Sequence, residues 1–324
     1  MKLVTGLLAL ATASALHADT SLLNASYDVT REFYGDYNAA FAKHWVAEKK
    51  GAIKINQSHA GSSKQARAVV DGLDADVVTM NQDTDVQFIA NAGLIAPDWR
   101  TRLPDHAAPY TSTIVFLVHK GNPKGIKDWS DLVESDTQVI IPNPKTSGNG
   151  RYSYLAAWAF AKNAGKDPQE FVAALFKNTP LLAAGGRDAT NAFVQRGIGD
   201  VLLTFESEAL QIAKDSDARE YEIVTPPTSI LAEAPVSVVD KNAAKHGTVE
   251  VATEYLKYLW SDEGQKLVVK HYFRPRNPAL LDTNAALFPK LKLVTVDDAF
   301  GGWSEAQKHF KDGGTFDAIY QPKP

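Results

Sequence analysis

Val139-Ile140-Ile141-Pro142-Asn143-Pro144-Lys145-Thr146-Ser147-Gly148-Asn149-Gly150-Arg151 is the stretch whose reading decides the fold. A β-branched apolar run gives way to a polar loop of proline, serine and glycine, and the loop ends where an apolar-periodic helix begins. Strand, loop and helix in that order aim unpaired backbone N–H groups and the positive end of a helix at one point. Such a point holds an anion. The design recurs earlier, where Ala52-Ile53-Lys54-Ile55 runs into Gln57-Ser58-His59-Ala60-Gly61-Ser62-Ser63-Lys64-Gln65. Two such junctions suggest an anion gripped from two sides.

Working outward, apolar runs and helical patterns alternate along most of the chain, which predicts an α/β architecture with mainly parallel sheets. Strands are expected at Leu22–Tyr27, Ala52–Asn56, Ala75–Met80, Thr113–Val118, Val139–Ile141 and Val201–Thr204. The helix opened by Asp28, a good N-cap, carries Phe33, Tyr37, Phe41 and Trp45 at i, i+4 spacing, a core stripe rather than a ligand cage. The pattern breaks at Pro104–Pro109 and again at Thr225-Pro226-Pro227. The simplest topology is a two-lobed chain: 19–109 plus 234–275 form lobe 1, 110–233 form lobe 2, and 276–324 pack on the lobes. In such folds ligands sit in the crevice at the carboxyl ends of the strands.

The beginning reads as a signal peptide over 1–18: one lysine, a short small-apolar core from Gly6 to Ala15, and cleavage after Ala15 or Ala18. No other apolar run approaches the ~20 residues that span a bilayer. There is no cysteine, so neither a disulfide nor thiol chemistry is available. A net charge of −4 offers no broad basic face for nucleic acid or for an anionic membrane. An acidic chain that binds an anion must do so with local dipoles rather than with its overall field.

Four helix starts can converge on the crevice: Tyr27-Asp28, Gly61-Ser62-Ser63, Ser147-Gly148-Asn149 and Gly185-Gly186-Arg187-Asp188. Enzyme readings fare poorly. No phosphate loop closes with Lys and Ser/Thr, and no Gly-x-Ser-x-Gly elbow is present. The eight histidines form no metal-ligand pair, and His59 reads as a structural histidine bonded to its neighbours. No catalytic residue, metal or cofactor is expected.

At these residues the chain resembles the periplasmic sulfate- and thiosulfate-binding proteins, the receptors of ABC importers for sulfur oxyanions. The matching segments include Asn24–Asp28, Gln57–Gln65, Ala75–Thr79, Tyr110–Val118, Asn143–Ala157, Ile230–Lys241 and Phe300-Gly301-Gly302-Trp303, in order along the chain. The resemblance implies a two-lobed class II solute-binding fold in the periplasm. It also implies a monomer that closes on a dehydrated dianion and delivers it to ABC permease subunits. Carried over by motif, the anion-holding positions fall on Asp28, Ser62, Gly148, Asn149, Gly186 and Phe205. Two depart from the sulfate-branch pattern. Asn149 stands where a second glycine is usual. Phe205 stands where a tryptophan indole is usual, leaving an apolar wall and extra room. Phe205, Ser58–Ser63 and Thr79-Met80-Asn81-Gln82 are similar to the thiosulfate branch. Arg151 and Arg187, next to these positions, are expected to hold the loops by pairing with backbone or carboxylates. The alternative is a receptor for phosphate, molybdate or another oxyanion on the same fold; phosphate would need a carboxylate, that of Asp28, to accept the hydrogen bond of its remaining proton. A sulfate-ester hydrolase is a distant third.

Overall fold

The computed structural model describes residues 20–48, 50–215 and 220–320. The expected signal segment lies outside the described residues. Strand β1 (Thr20–Tyr27) runs parallel between β2 (Ile53–Ala60) and β3 (Val77–Thr79). Tyr27 pairs with Ala60, and Ser26 with Thr79, so the three strands finish nearly level. The segments that follow them leave from one edge of the sheet: Asp28, Gly61-Ser62 and Met80-Asn81. That edge is where the first lobe presents its candidate residues. Gln57 to Ala60, expected as loop, belongs instead to β2, because every residue of that stretch finds a ladder partner in β1. Backbone pairing outweighs the polar composition there, and the turn shrinks to Gly61.

After β1 the chain makes one 3-10 turn (Asp28–Thr30) and enters helix α1 (Arg31–Ala47). Phe33, Tyr37, Phe41 and Trp45 are all buried. The Tyr37 and Phe41 rings pack edge-on against Tyr255, and Phe41 also against Tyr258, from the later part of the chain. Each such aromatic buries enough apolar surface for roughly 1.5–3 kcal/mol. Helix α2 (Ser62–Val70) and helix α3 (Asp83–Asn91) complete this lobe's first half.

The second lobe is built on β5 (Ile114–His119), reached through β4 (Tyr110–Ser112), and then on β6 (Val139–Pro142), β7 (Leu182–Ala183), β8 (Val201–Phe205) and β9 (Tyr221–Val224). Its order is β7-β6-β8-β5-β9. β6 is parallel to β7 and β8, with Pro142 beside Ala183 and Ile140 beside Leu202. The carboxyl ends of these three strands share an edge, and from it leave the loops to Gly148 and Gly186 and the end of β8 at Phe205.

The sheets are less uniformly parallel than the sequence predicts. β5 and β9 pair antiparallel to each other, as do β5 and β8. After β10 (Thr228–Ile230) and β11 (Ala232–Glu233), β12 (Val236–Val238) returns antiparallel onto β3. A strand arriving from the other lobe enters its sheet in the reverse direction, so each crossover adds an antiparallel member. β11, β4 and β13 (Arg274–Pro275) form a small antiparallel sheet where the chain passes between lobes. Beyond β14 (Lys292–Val294), which pairs with β10, Val296, Ala306, Phe310 and Phe316 pack into the second lobe's core with Ile114 and Leu155.

Candidate functional site

Three helix starts and one 3-10 turn face one another where the two edges meet. In lobe 1, α2 begins at Ser62 behind Gly61, whose carbonyl takes the Lys64 and Gln65 N–H groups, so those of Ser62 and Ser63 have no partner inside the helix. The Ser62 hydroxyl is buried and accepts the Asn81 N–H at 3.1 Å. Its own proton lies toward the Met80 thioether at 3.6 Å, a weak acceptor, with the Asp85 carboxylate as a competing one. In lobe 2 the helix Gly148–Asn163 begins with Gly148, Asn149 and Gly150 all buried. Its N-cap Ser147 accepts from the Gly150 N–H at 3.4 Å, leaving the Gly148 and Asn149 amides outside the cap. The short helix Gly186–Thr190 starts against it: a Cβ on Gly186 would stand 3.5 Å from Asn149 Nδ2, an ordinary contact.

The lobes touch through Asn81. Its carboxamide lies against Gly148 so closely that a Cβ there would be 2.7 Å from Asn81 Cγ. Ser62, Asn81, Gly148, Asn149 and Gly186 therefore form one continuous cluster. Phe205, at the end of β8, joins it by lining the same small cavity as Asn81, Tyr27 and Tyr110. The Phe205 ring is buried and meets the Tyr152 ring edge-on at 5.8 Å.

Asp28 departs from its expected part. Tyr27 is the cap residue, and the Asp28 carboxylate caps nothing. It accepts from Arg31 Nη2 at 2.7 Å and, across the cleft, from Arg187 Nε at 3.0 Å. Two guanidinium donors outcompete the weaker backbone amides of a single turn. Burial alone would raise this carboxyl's pKa, but the Arg31 hydrogen bond and the charges of Arg187 and Arg31 hold it below its usual range. What Asp28 offers the cluster is its backbone, at the end of β1.

Both arginines hold loops. Arg187 pairs with Asp28, and Arg151 donates to the carbonyls of Pro144 and Lys145 at 2.9 and 3.3 Å. Arg151 also reaches Ser63 Oγ at 3.2 Å, and Ser63 donates to Asp85 Oδ1 at 2.8 Å. A hydroxyl of lobe 1 thus stands between a buried guanidinium of lobe 2 and a buried carboxylate of lobe 1. Burial raises the Asp85 pKa, with Arg151 opposing that shift. His59 bonds to the Gln57 side chain. Burial and then the Arg31 charge keep its pKa below the usual histidine value, so it stays neutral near pH 7.

Sequence reasoning did not single out Asn81 as a site residue, nor the acceptor chain behind Asn149. Asn149 Nδ2 donates to Thr204 Oγ1 at 3.0 Å, and Thr204 and Thr190 both donate to Glu208 at 2.7 and 2.8 Å. This chain locks the Asn149 side chain away from the cleft and leaves its backbone N–H as the available donor. A wider cavity of about 510 Å³ opens beside Arg187, but Glu32, Glu208 and Glu220 line it and make it inhospitable to an anion. Among the described residues no group of three His, Cys, Asp or Glu side chains could hold a metal ion. No described helix is long and apolar enough to cross a membrane.

The family model described as bacterial extracellular solute-binding protein matches residues 22–274. A thiosulfate-binding protein of Pseudomonas aeruginosa is 55% identical over 97% of this chain and 96% of its own length. A sulfate-binding protein of Escherichia coli is 54% identical, over 96% of each chain. Among solved structures, the sulfate-binding protein SubI from Mycobacterium tuberculosis H37Rv superposes with a TM-score of 0.80 at 32% identity, covering 89% of this chain and 98% of that one. The relatives are named as binding proteins, not as enzymes.

Proposed function

The chain belongs to the bacterial extracellular solute-binding proteins, and we propose that it captures thiosulfate and sulfate dianions in the periplasm and hands them to an ABC importer. The observation that carries the reading is the convergence of helix starts from both lobes on one buried spot. The donors there are backbone amides and one hydroxyl, with no cation in the cluster itself. Each charge-assisted hydrogen bond contributes ~1.5–3 kcal/mol, and each helix terminus adds ~0.3–2 kcal/mol. Four or five of them supply the roughly 8 kcal/mol of micromolar binding after desolvation losses. The proposed contacts are the backbone N–H groups near Asp28 and at Ser62, Gly148, Asn149 and Gly186, the Ser62 hydroxyl, and the Phe205 ring as an apolar wall.

A protonated phosphate needs a carboxylate to accept its proton. Asp28, the one acid among the proposed contact positions, is held ionised by two arginines and turned to them, which favours a fully ionised dianion over phosphate. The relatives do not decide between sulfate and thiosulfate, since both names occur at nearly equal identity. Calorimetric titration with sulfate, thiosulfate, phosphate and molybdate tests the reading. Micromolar or tighter binding of the first two, with phosphate at least about a hundredfold weaker, is expected. The reverse order would give the site to phosphate.

Two further results follow. Ser62→Ala should bind both anions about ten- to a hundredfold more weakly, the equivalent of one donor to a charged acceptor. The Asn81 N–H loses its acceptor at the same time, so stability should drop by about 1 kcal/mol while the fold survives. Unchanged affinity by calorimetry would remove Ser62 from the site. Affinity should also be nearly flat from about pH 5 to 8, because the donors do not titrate and burial favours the neutral form of His59. Asp83, pushed up to about 6 by burial, does titrate inside it, but its partner is Arg100 at 3.1 Å rather than the cluster. A change above about tenfold across that range would show that a titrating group takes part in binding.

A further inference from the structure

Asn81 is nine-tenths buried, and its Oδ1 makes no hydrogen bond among the described residues. A buried carboxamide atom without a partner costs about 1–3 kcal/mol, so its position needs a reason. The backbone N–H of the same residue is fixed on Ser62 Oγ, which fastens Asn81 to one proposed contact. Its carboxamide rests on Gly148, the first residue of the facing helix. The side chain therefore stands between the helix starts of the two lobes. A half turn of the amide plane exchanges the atom that faces the cleft and presents an N–H to an anion there.

Phe205 approaches the same place from the opposite lobe. Asn81 and Phe205 line one cavity of about 10 Å³, no more than a single water requires. The room expected from the sequence beside Phe205 is thus all but closed, with Asn81 among the residues that bound what is left. An indole adds as many non-hydrogen atoms to a benzyl group as the carboxamide of asparagine contains. A tryptophan at 205 and an asparagine at 81 compete for the same volume.

We infer that Asn81 and Phe205 act as a coupled selectivity pair, Asn81 giving a side-chain N–H to an anion oxygen while Phe205 walls the position taken by thiosulfate's terminal sulfur. The inference rests on the proposed function and names the residues that set its preference. Sulfur is larger than oxygen and a poorer acceptor, so it loses least against a ring without a donor. The amide donor is kept for an oxygen, which both anions possess.

The test is calorimetric titration of sulfate and thiosulfate into the wild type, Asn81→Ala, Asn81→Leu, Phe205→Trp and the double variant Asn81→Ala/Phe205→Trp, with thermal melts to confirm folding. Phe205→Trp alone should weaken both anions at least about tenfold, since overpacked cores resist an added ring. Asn81→Leu keeps the branched skeleton and deletes the amide, and should weaken both about tenfold. The double variant should regain sulfate binding to within about threefold of wild type while its thiosulfate-to-sulfate affinity ratio falls at least about tenfold. Additive effects of the two substitutions on log Kd, or wild-type affinity in Asn81→Leu, overturn the inference while leaving the function standing. A wild-type chain that takes neither anion overturns both. Asn81→Leu keeps the donor assignment open to refutation even if the double variant does not fold.

Discussion

Gly148→Ala should fold normally and bind its anions at least about a hundredfold more weakly, whereas Gly150→Ala should lose stability before binding is reached. The two glycines stand two residues apart in one helix start, and what surrounds each decides the outcome. A Cβ at Gly148 collides with the Asn81 carboxamide, which belongs to the other lobe. The lobes can avoid that collision by staying apart, so the cost falls on closure and hence on affinity. A Cβ at Gly150 would lie 2.8 Å from the Pro142 carbonyl carbon and 2.9 Å from that of Asn143. These are backbone atoms of the same lobe, with nowhere to go. The loop or the helix must shift, at about 1–3 kcal/mol or more. Chemical denaturation of the unliganded variants separates the two cases, and titration completes the comparison. Adding Asn81→Ala to Gly148→Ala should restore at least about tenfold of the lost affinity by removing the obstacle. Equal losses of stability in both glycine variants would refute the assignment of Gly148 to the interface between lobes.

That contrast also shows where sequence ran out. The glycine and serine residues at the strand-to-helix junctions were legible because helix starts are local: the strand, the turn and the first helical residue lie within a dozen positions. The aromatic stripe of α1 was legible for the same reason. The extension of β2 through Ala60 was not, because its pairing with Tyr27 depends on a strand more than thirty positions away. Asn81 was unreadable as a site residue for a stronger reason. Nothing near it in the chain reports that Gly148, from another lobe, will press against it, or that Phe205 will line the same cavity. The antiparallel placement of β5 likewise follows from the crossover at Tyr110–Ser112, a matter of topology rather than of composition. Asp28 shows the opposite failure, since a local rule predicted a cap and two arginines, one of them 159 positions distant, took the carboxylate instead.

Arg274→Ala should produce the largest loss of stability in the molecule, about 3–5 kcal/mol near neutral pH. Arg274 and Glu206 are 6% and 2% exposed, and they join side on, Nε to Oε2 at 2.6 Å and Nη2 to Oε1 at 2.7 Å. Arg274 also donates to the Pro289 carbonyl at 3.0 Å and lies over the Phe288 ring at 5.6 Å. Glu206 follows Phe205 directly, and Arg274 lies in β13, beside the crossover strand β4. The pair therefore ties the end of β8 to the segment that links the lobes. Removing the guanidinium leaves a carboxylate in an apolar setting, which is costlier than never having had the pair. Burial already pushes the Glu206 pKa up, with Arg274 opposing it, so in the variant the shift grows. A carboxyl whose folded pKa lies above its unfolded value favours the folded state most at low pH, and that stability is lost as pH rises through the folded pKa. The Arg274→Ala penalty should accordingly be smaller at pH 5 than at pH 8, and Glu206→Gln in the same background should abolish the difference. Urea denaturation at the two pH values measures both effects. A loss under about 1 kcal/mol at pH 8, or a loss independent of pH, would mean that the pair is solvated in solution and does not fasten the crossover.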